Sequence, residues 1–147
     1  MRVLLQRVAR AEVTVEGQAT GSIGPGIMAL VGVGPDDTAE VATTLAGKSC
    51  DLRIFRDDDG RTNRSLIDTG GAMLVVSQFT LYGDTRKGRR PSFIGAAPPD
   101  LAAELVEVFA KAVDARGVEV GRGRFGAVMA VELVNDGPMT IWLDSGA

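Results

Sequence analysis

Histidine is absent from all 147 residues. That removes Ser-His-Asp and Cys-His mechanisms, together with the commonest metal ligand. Any chemistry must draw on hydroxyls, carboxylates, Lys or Arg, backbone dipoles, or groups of the substrate itself. Cys50 is the one cysteine, so no internal disulfide can form and a reducing compartment fits best. At the end of a predicted helix it reads as a small core residue rather than a nucleophile. No apolar run is long enough for a signal peptide or a membrane span, which points to a soluble, cytoplasmic protein with no membrane partner. G-x-x-x-x-G-K-[ST] and C-x-x-C are missing, so a phosphate-loop ATPase or a zinc site loses its main support. No metal and no cofactor is expected. The net charge of -3 also excludes a generally basic nucleic-acid protein. A polyanion would have to be held by a local patch against an acidic background.

What is present suits one domain, residues 1–147, with 45% apolar residues to build its core. Arg2 to Val8 and Ala11 to Val15 read as two strands, the second by the alternation of Val13 and Val15 with Thr14 and Glu16. Glu16-Gly17-Gln18 is a turn, and Gly21 to Gly26 a turn-rich connection. Ile27 to Val33 is nearly all apolar and reads as a strand buried on both faces. Pro35-Asp36-Asp37 is expected to open a helix whose inner face holds Val41, Leu45 and Cys50. Leu52 to Phe55 reads as a strand. Asp57-Asp58-Asp59-Gly60 reads as a solvated turn, because Arg61 and Arg64 take later ligand positions of a calcium loop and no closing Glu follows. After a strand at Ala72 to Val76, a second helix starts at Pro98-Pro99-Asp100. Leu101, Leu105, Val108, Phe109, Ala112 and Val113 repeat along it at helical spacing until Gly117. Val118 to Val120, Phe125 to Val134 and Met139 to Leu143 complete the strands. The expected fold class is α+β: a small β-barrel-like, mostly antiparallel sheet with two packed helices.

The chain is organised around Val75 to Phe93, VVSQFTLYGDTRKGRRPSF. An apolar strand turns polar at Ser77-Gln78, places Thr80 beside Phe79 and Tyr82, and ends in a basic knot that includes Arg86 and Lys87. Most polar strand ends only satisfy loop backbone. The functional alternative is an ester or acyl site, with backbone N–H groups at Gln78, Phe79 or Thr80 holding an oxyanion. Thr80 as a nucleophile lacks a histidine base. The basic knot reads either as a solvated loop or as a phosphate-binding patch. Phe125, among Arg122, Gly123, Arg124 and Gly126, is either a stacking platform for a base or a core residue. Gly137-Pro138 reads as an ordinary hairpin turn, and nothing in the residues alone predicts a cis bond.

Together these pieces resemble the D-aminoacyl-tRNA deacylases of the bacterial and eukaryotic type, over essentially the full chain. The matching segments are MRVLLQRV, LRIF at Leu52, the long stretch from Val75, GAAPP at Gly95, GRFGAVM at Gly123 and VNDGPMT at Val134. Gly83 stands where alanine is common, and Met139 where valine is common. The resemblance implies a homodimer with both active sites at the subunit interface. Ser77, Gln78, Phe79 and Thr80 would line one wall as the catalytic segment. Gly137 and Pro138, joined by a cis bond, would reach into the partner's site and set chirality, with Arg7 holding that loop across the interface. Phe125 and Met129 would flank the terminal adenine of tRNA, and Arg86 and Lys87 would bind its phosphates.

The implied reaction is hydrolysis of the ester between a D-amino acid and the 3′-terminal ribose, with water assisted by the ribose 2′-OH. Glycyl-tRNA would be accepted and L-amino acids rejected by clash. A non-enzymatic nucleic-acid-binding module is the alternative, and a dimeric barrel without ligand is a third reading.

Overall fold

A computed structural model describes residues 1–147. Its eight strands are β1 (Arg2–Val15), β2 (Gln18–Ile23), β3 (Gly26–Gly32), β4 (Phe55–Arg56), β5 (Thr62–Arg64), β6 (Ala72–Ser77), β7 (Val120–Arg122) and β8 (Ala130–Asp144). Its three helices are α1 (Ala39–Asp51), α2 (Leu66–Thr69) and α3 (Pro99–Asp114), with a 3-10 turn at Phe79–Tyr82. β4 and β5 form a small separate ribbon around the acidic Asp57–Gly60 turn.

β1 is one continuous strand where two were expected. On one side it pairs first with β3 and then with β2, and on the other it pairs with β8 along its whole length. Its burial pattern explains the break in the sequence signal. Val3 and Leu5 belong to the larger core under the helices, whereas Val8, Ala11 and Val13 belong to a second core inside the curved sheet. The strand changes phase between Arg7 and Ala11, where the register with β8 also shifts.

The main sheet is mostly antiparallel, as expected, through the pairings of β1 with β2, β3 and β8, but it also contains parallel pairs. β3 pairs with β6, and β6 with β7, in parallel. These two central strands are buried on both faces, as the apolar run in β3 led one to expect. Ile27, Ala29 and Val31 of β3 and Met73 and Val75 of β6 face the helices, while Met28, Leu74 and Val76 face the second core. Thr20 donates to the Arg122 carbonyl at 3.2 Å, bringing β2 against β7 so that the sheet nearly closes into a barrel.

The helices differ from the sequence reading in two places. α1 starts at Ala39 behind the cap Thr38, whose hydroxyl accepts from Val41 N–H. Pro35-Asp36-Asp37 precede it, and Asp37 instead binds the Gly34 N–H and the Met1 ammonium. α2 was not expected at all. It is a single turn closed by a reciprocal capping box between Ser65 and Asp68, with Gly70 at φ 68° ending it. Its capping signal is plain in the sequence, but four residues carry no periodicity. No helix is long and apolar enough to cross a membrane.

Candidate active site

The end of β6 shapes the site. Ser77 is its last residue, opposite Val31 of β3, and the Gln78 N–H still donates to the Val31 carbonyl at 2.8 Å. The chain then tightens into the 3-10 turn, with Leu81 N–H on Gln78 O at 3.3 Å and Gly83 N–H on Thr80 O at 2.9 Å. Gly32 permits this approach. A Cβ there would lie 2.9 Å from Gln78 O and 3.1 Å from Leu81 Cβ. Because the first intra-turn bond is donated by Leu81, the N–H groups of Phe79 and Thr80 open the turn without an acceptor inside it. The turn is held from below by Arg2, which donates to Leu81 O at 2.9 Å and lies over the Tyr82 ring at 4.4 Å. Burial and the nearby Asp37 carboxylate push the Tyr82 hydroxyl up to about 12, so it stays neutral.

In front of the turn lies an open cavity of about 590 Å³, within the range that holds a small ligand. Ser77, Gln78 and Phe79 line it from the strand end and the turn, and Phe125 and Met129 from the segment before β8. Val31, Val76, Phe93 and the start of α3 add to the lining. Phe93 packs edge-on against Phe79, with ring centroids 5.2 Å apart. Gly123 lets Met129 lean in, since a Cβ there would lie 2.8 Å from the Met129 sulfur. None of the lining side chains ionises near neutral pH. The side chains that the cavity offers a ligand are therefore neutral: the Ser77 hydroxyl, the Gln78 amide and aromatic faces. No three His, Cys, Asp or Glu side chains converge to hold a metal. Gly121, Gly123 and Gly126 spell a G-x-G-x-x-G, but the chain runs from them into β8 rather than a helix, so the dinucleotide arrangement is not built.

The structure thus brings Ser77, Gln78, Phe79, Phe125 and Met129 together. Phe125 lies in the turn before β8 rather than on a strand, and is 43% exposed. Thr80 is exposed beside the cavity, its hydroxyl bound by the Gln78 amide. Phe93 was overlooked, although it ends the organising stretch and the sequence holds only five phenylalanines. Arg86 and Lys87 stand in an exposed loop whose base is the Asp84–Ser92 bridge, one residue from Phe93.

Gly137, Pro138 and Arg7 lie elsewhere and line no part of this cavity. The Asn135–Met139 segment is not a hairpin. β8 continues in the same direction on both sides of it, and the segment bulges out between the pairs Gln6–Thr140 and Val8–Asn135. The Gly137–Pro138 bond is cis. Arg7 fills the space behind the bulge. It is 2% exposed, donates to Asp136 O at 2.9 Å and Ile54 O at 2.5 Å, and pairs with the Asp136 carboxylate at 3.2 Å. These contacts lie within one chain. Arg56 grips the same carboxylate from outside at 3.0 Å, and Asn135 donates to Arg7 O and Met139 O.

Comparison with known proteins adds a family. Residues 4–144 match the family model described as D-Tyr-tRNA(Tyr) deacylase. The chain is 61% identical over 145 residues to a D-aminoacyl-tRNA deacylase of Roseiflexus castenholzii, covering 99% of this chain and 92% of that protein. It is 60% identical over 144 residues to the D-aminoacyl-tRNA deacylase of Deinococcus deserti, covering 98% and 99%. A solved structure of a c-Myc DNA unwinding element binding protein superposes over the whole of both chains, with TM-score 0.92 and 37% identity.

Proposed function

The chain belongs to the D-Tyr-tRNA(Tyr) deacylase family, and from that premise we propose that residues 1–147 form one deacylase domain that removes D-amino acids from tRNA in the cytoplasm. The enzyme is a hydrolase of aminoacyl-tRNA. The observation that carries the reading is the neutral cavity of about 590 Å³ beside a 3-10 turn whose first two N–H groups have no acceptor within the turn. A cavity with no ionising side chain suits an aminoacyl ester, which is already activated and needs water positioned and an oxyanion stabilised.

In this reading the terminal adenine sits between Phe125 and Met129, and the ester lies against Ser77 and Gln78. The ribose 2′-OH assists a water that attacks the ester carbonyl. The N–H groups of Phe79 and Thr80 stabilise the oxyanion. Its collapse breaks the bond to the 3′ oxygen, which takes up a proton to leave free D-amino acid and tRNA. Gly137 and Pro138 of the partner subunit complete the site and reject L side chains by their bulk. Three observations support a dimer. Gly137 and Pro138 are exposed and line no part of their own chain's cavity. β8 has an unpaired outer edge along its length. Val131, Val134 and Trp142 of the same strand are exposed.

Rejection by bulk predicts that glycyl-tRNA, with no side chain to clash, is hydrolysed along with D-tyrosyl-tRNA. Matched time courses test this, and intact glycyl-tRNA at enzyme concentrations that clear the D-tyrosyl ester would contradict it. A nucleic-acid-binding module without hydrolysis is the second reading. The name of the 37% identical structure and the exposed basic loop favour it. Salt-sensitive tRNA binding with no ester cleavage would select it.

A further inference from the structure

The loop between Asp84 and Ser92 holds four cations in five residues, and the structure divides them. Its base is fixed by two backbone hydrogen bonds, Asp84 N–H to Ser92 O at 2.8 Å and Ser92 N–H to Asp84 O at 2.9 Å. Arg86 is spent inside the loop. Its Nε and Nη2 donate to the two Asp84 carboxylate oxygens at 2.9 and 2.7 Å, and its backbone N–H donates to the same carboxylate at 3.0 Å. Those bonds hold the Asp84 carboxyl down to about 2, so the pair persists across the working pH range. Lys87, Arg89 and Arg90 are exposed and form no ion pair. Gly88, at φ 65°, turns the chain between them.

The placement matters as much as the charge. Ser92 at the base adjoins Phe93 in the cavity wall. Gly88 is four residue steps from Asp84, and at about 3.3–3.6 Å per step the tip lies within about 15 Å of that base. Arg124, next to Phe125 of the cavity lining, is also exposed and forms no ion pair. In a chain of net charge -3, this concentrates free positive charge at the mouth of a site with no ionising groups of its own.

We propose that Lys87, Arg89 and Arg90, and not Arg86, clamp the phosphodiester groups of the single-stranded RNA end whose terminal nucleoside enters the cavity. Arg86 and Asp84 shape the loop that presents them. The clamp rests on the deacylase reading for the identity of its RNA, tRNA. It is a positioning device that does not touch the ester, so it acts on tRNA and not on a substrate without phosphates.

The test compares wild type, K87Q/R89Q/R90Q and R86Q in binding uncharged tRNA between 50 and 200 mM salt. Each lost contact to a single strand lowers the slope of log K against log salt by about 0.7, so the triple variant should lose about 2 and R86Q less than one contact's worth. The ratio of kcat/KM for D-tyrosyl-tRNA over that for 2′(3′)-O-D-tyrosyl-adenosine should fall about ten-fold or more in the triple variant. A merely structural role would lower both substrates alike. A triple variant with the wild-type slope, or an R86Q variant that loses as much per charge as the others, overturns the clamp. Wild type that cleaves neither ester refutes the deacylase reading, while the binding slopes still decide the clamp.

Discussion

The hydroxyl of Thr80 has one hydrogen bond, accepted from the Gln78 amide, and the chain has no histidine to take its proton. A threonine so placed lacks the base that would make it a nucleophile. Thr80→Ala should therefore keep D-tyrosyl-tRNA hydrolysis within about ten-fold of wild type, equivalent to about 1.4 kcal/mol in the barrier. Loss of a thousand-fold with tRNA binding intact would make the hydroxyl a chemical participant. Single residues of the site were largely legible. Ser77, Gln78 and Phe79 announce themselves as polar and aromatic residues at the end of an apolar run. Phe125 was legible as a candidate stacking platform from the cations and glycines around it, whereas Met129 came only through family resemblance, because nothing local tells which apolar side chain faces a cavity. The split between Arg86 and its neighbours was not legible either. It depends on the Asp84 carboxylate turning back onto one guanidinium, a geometry set by the Asp84–Ser92 bridge.

At the scale of elements, the parallel pairing of β3 with β6 places the site, because it sets Ser77 opposite Val31. That pairing is close enough to demand glycine. A Cβ on Gly26 would fall 1.8 Å from the Ala72 carbonyl oxygen, and backbone on both sides leaves no flexible group to yield. Gly26→Ala should cost at least about 3 kcal/mol, the upper range for overpacking. In a chain of this length that lowers Tm on the order of 10 °C. Thermal unfolding of the purified variant measures it, and an unchanged Tm would mean that the strands separate freely. Strand direction was the element-level feature the sequence hid. The apolar runs revealed both buried strands but not which way they run, since parallel pairing depends on the crossover through α1 and α2. The bulge in β8 misled for a different reason. Asn-Asp-Gly-Pro is turn chemistry, yet here Arg7 fills the space behind it and the strand resumes on the same partner.

At the scale of the molecule, the exposed surface is 8250 Å². A monomer of this mass is expected to expose about 7,200 Å². The excess is comparable to the roughly 800 Å² that each partner contributes to a standard interface. With the unpaired edge of β8 and its exposed Val134, this favours a second copy as the missing cover. Sedimentation should find wild type dimeric. Val134→Glu should shift it to monomer and, under the shared-site proposal, abolish deacylation. A fully active monomer would refute the shared site. The most direct test of the whole account is single-turnover deacylation of D-tyrosyl-tRNA and L-tyrosyl-tRNA side by side, without added metal. The D ester should disappear rapidly while the L ester survives. Equal loss of both would leave a nonspecific esterase with no role for Gly137 and Pro138, and loss of neither, with tRNA still bound, would leave a binding module.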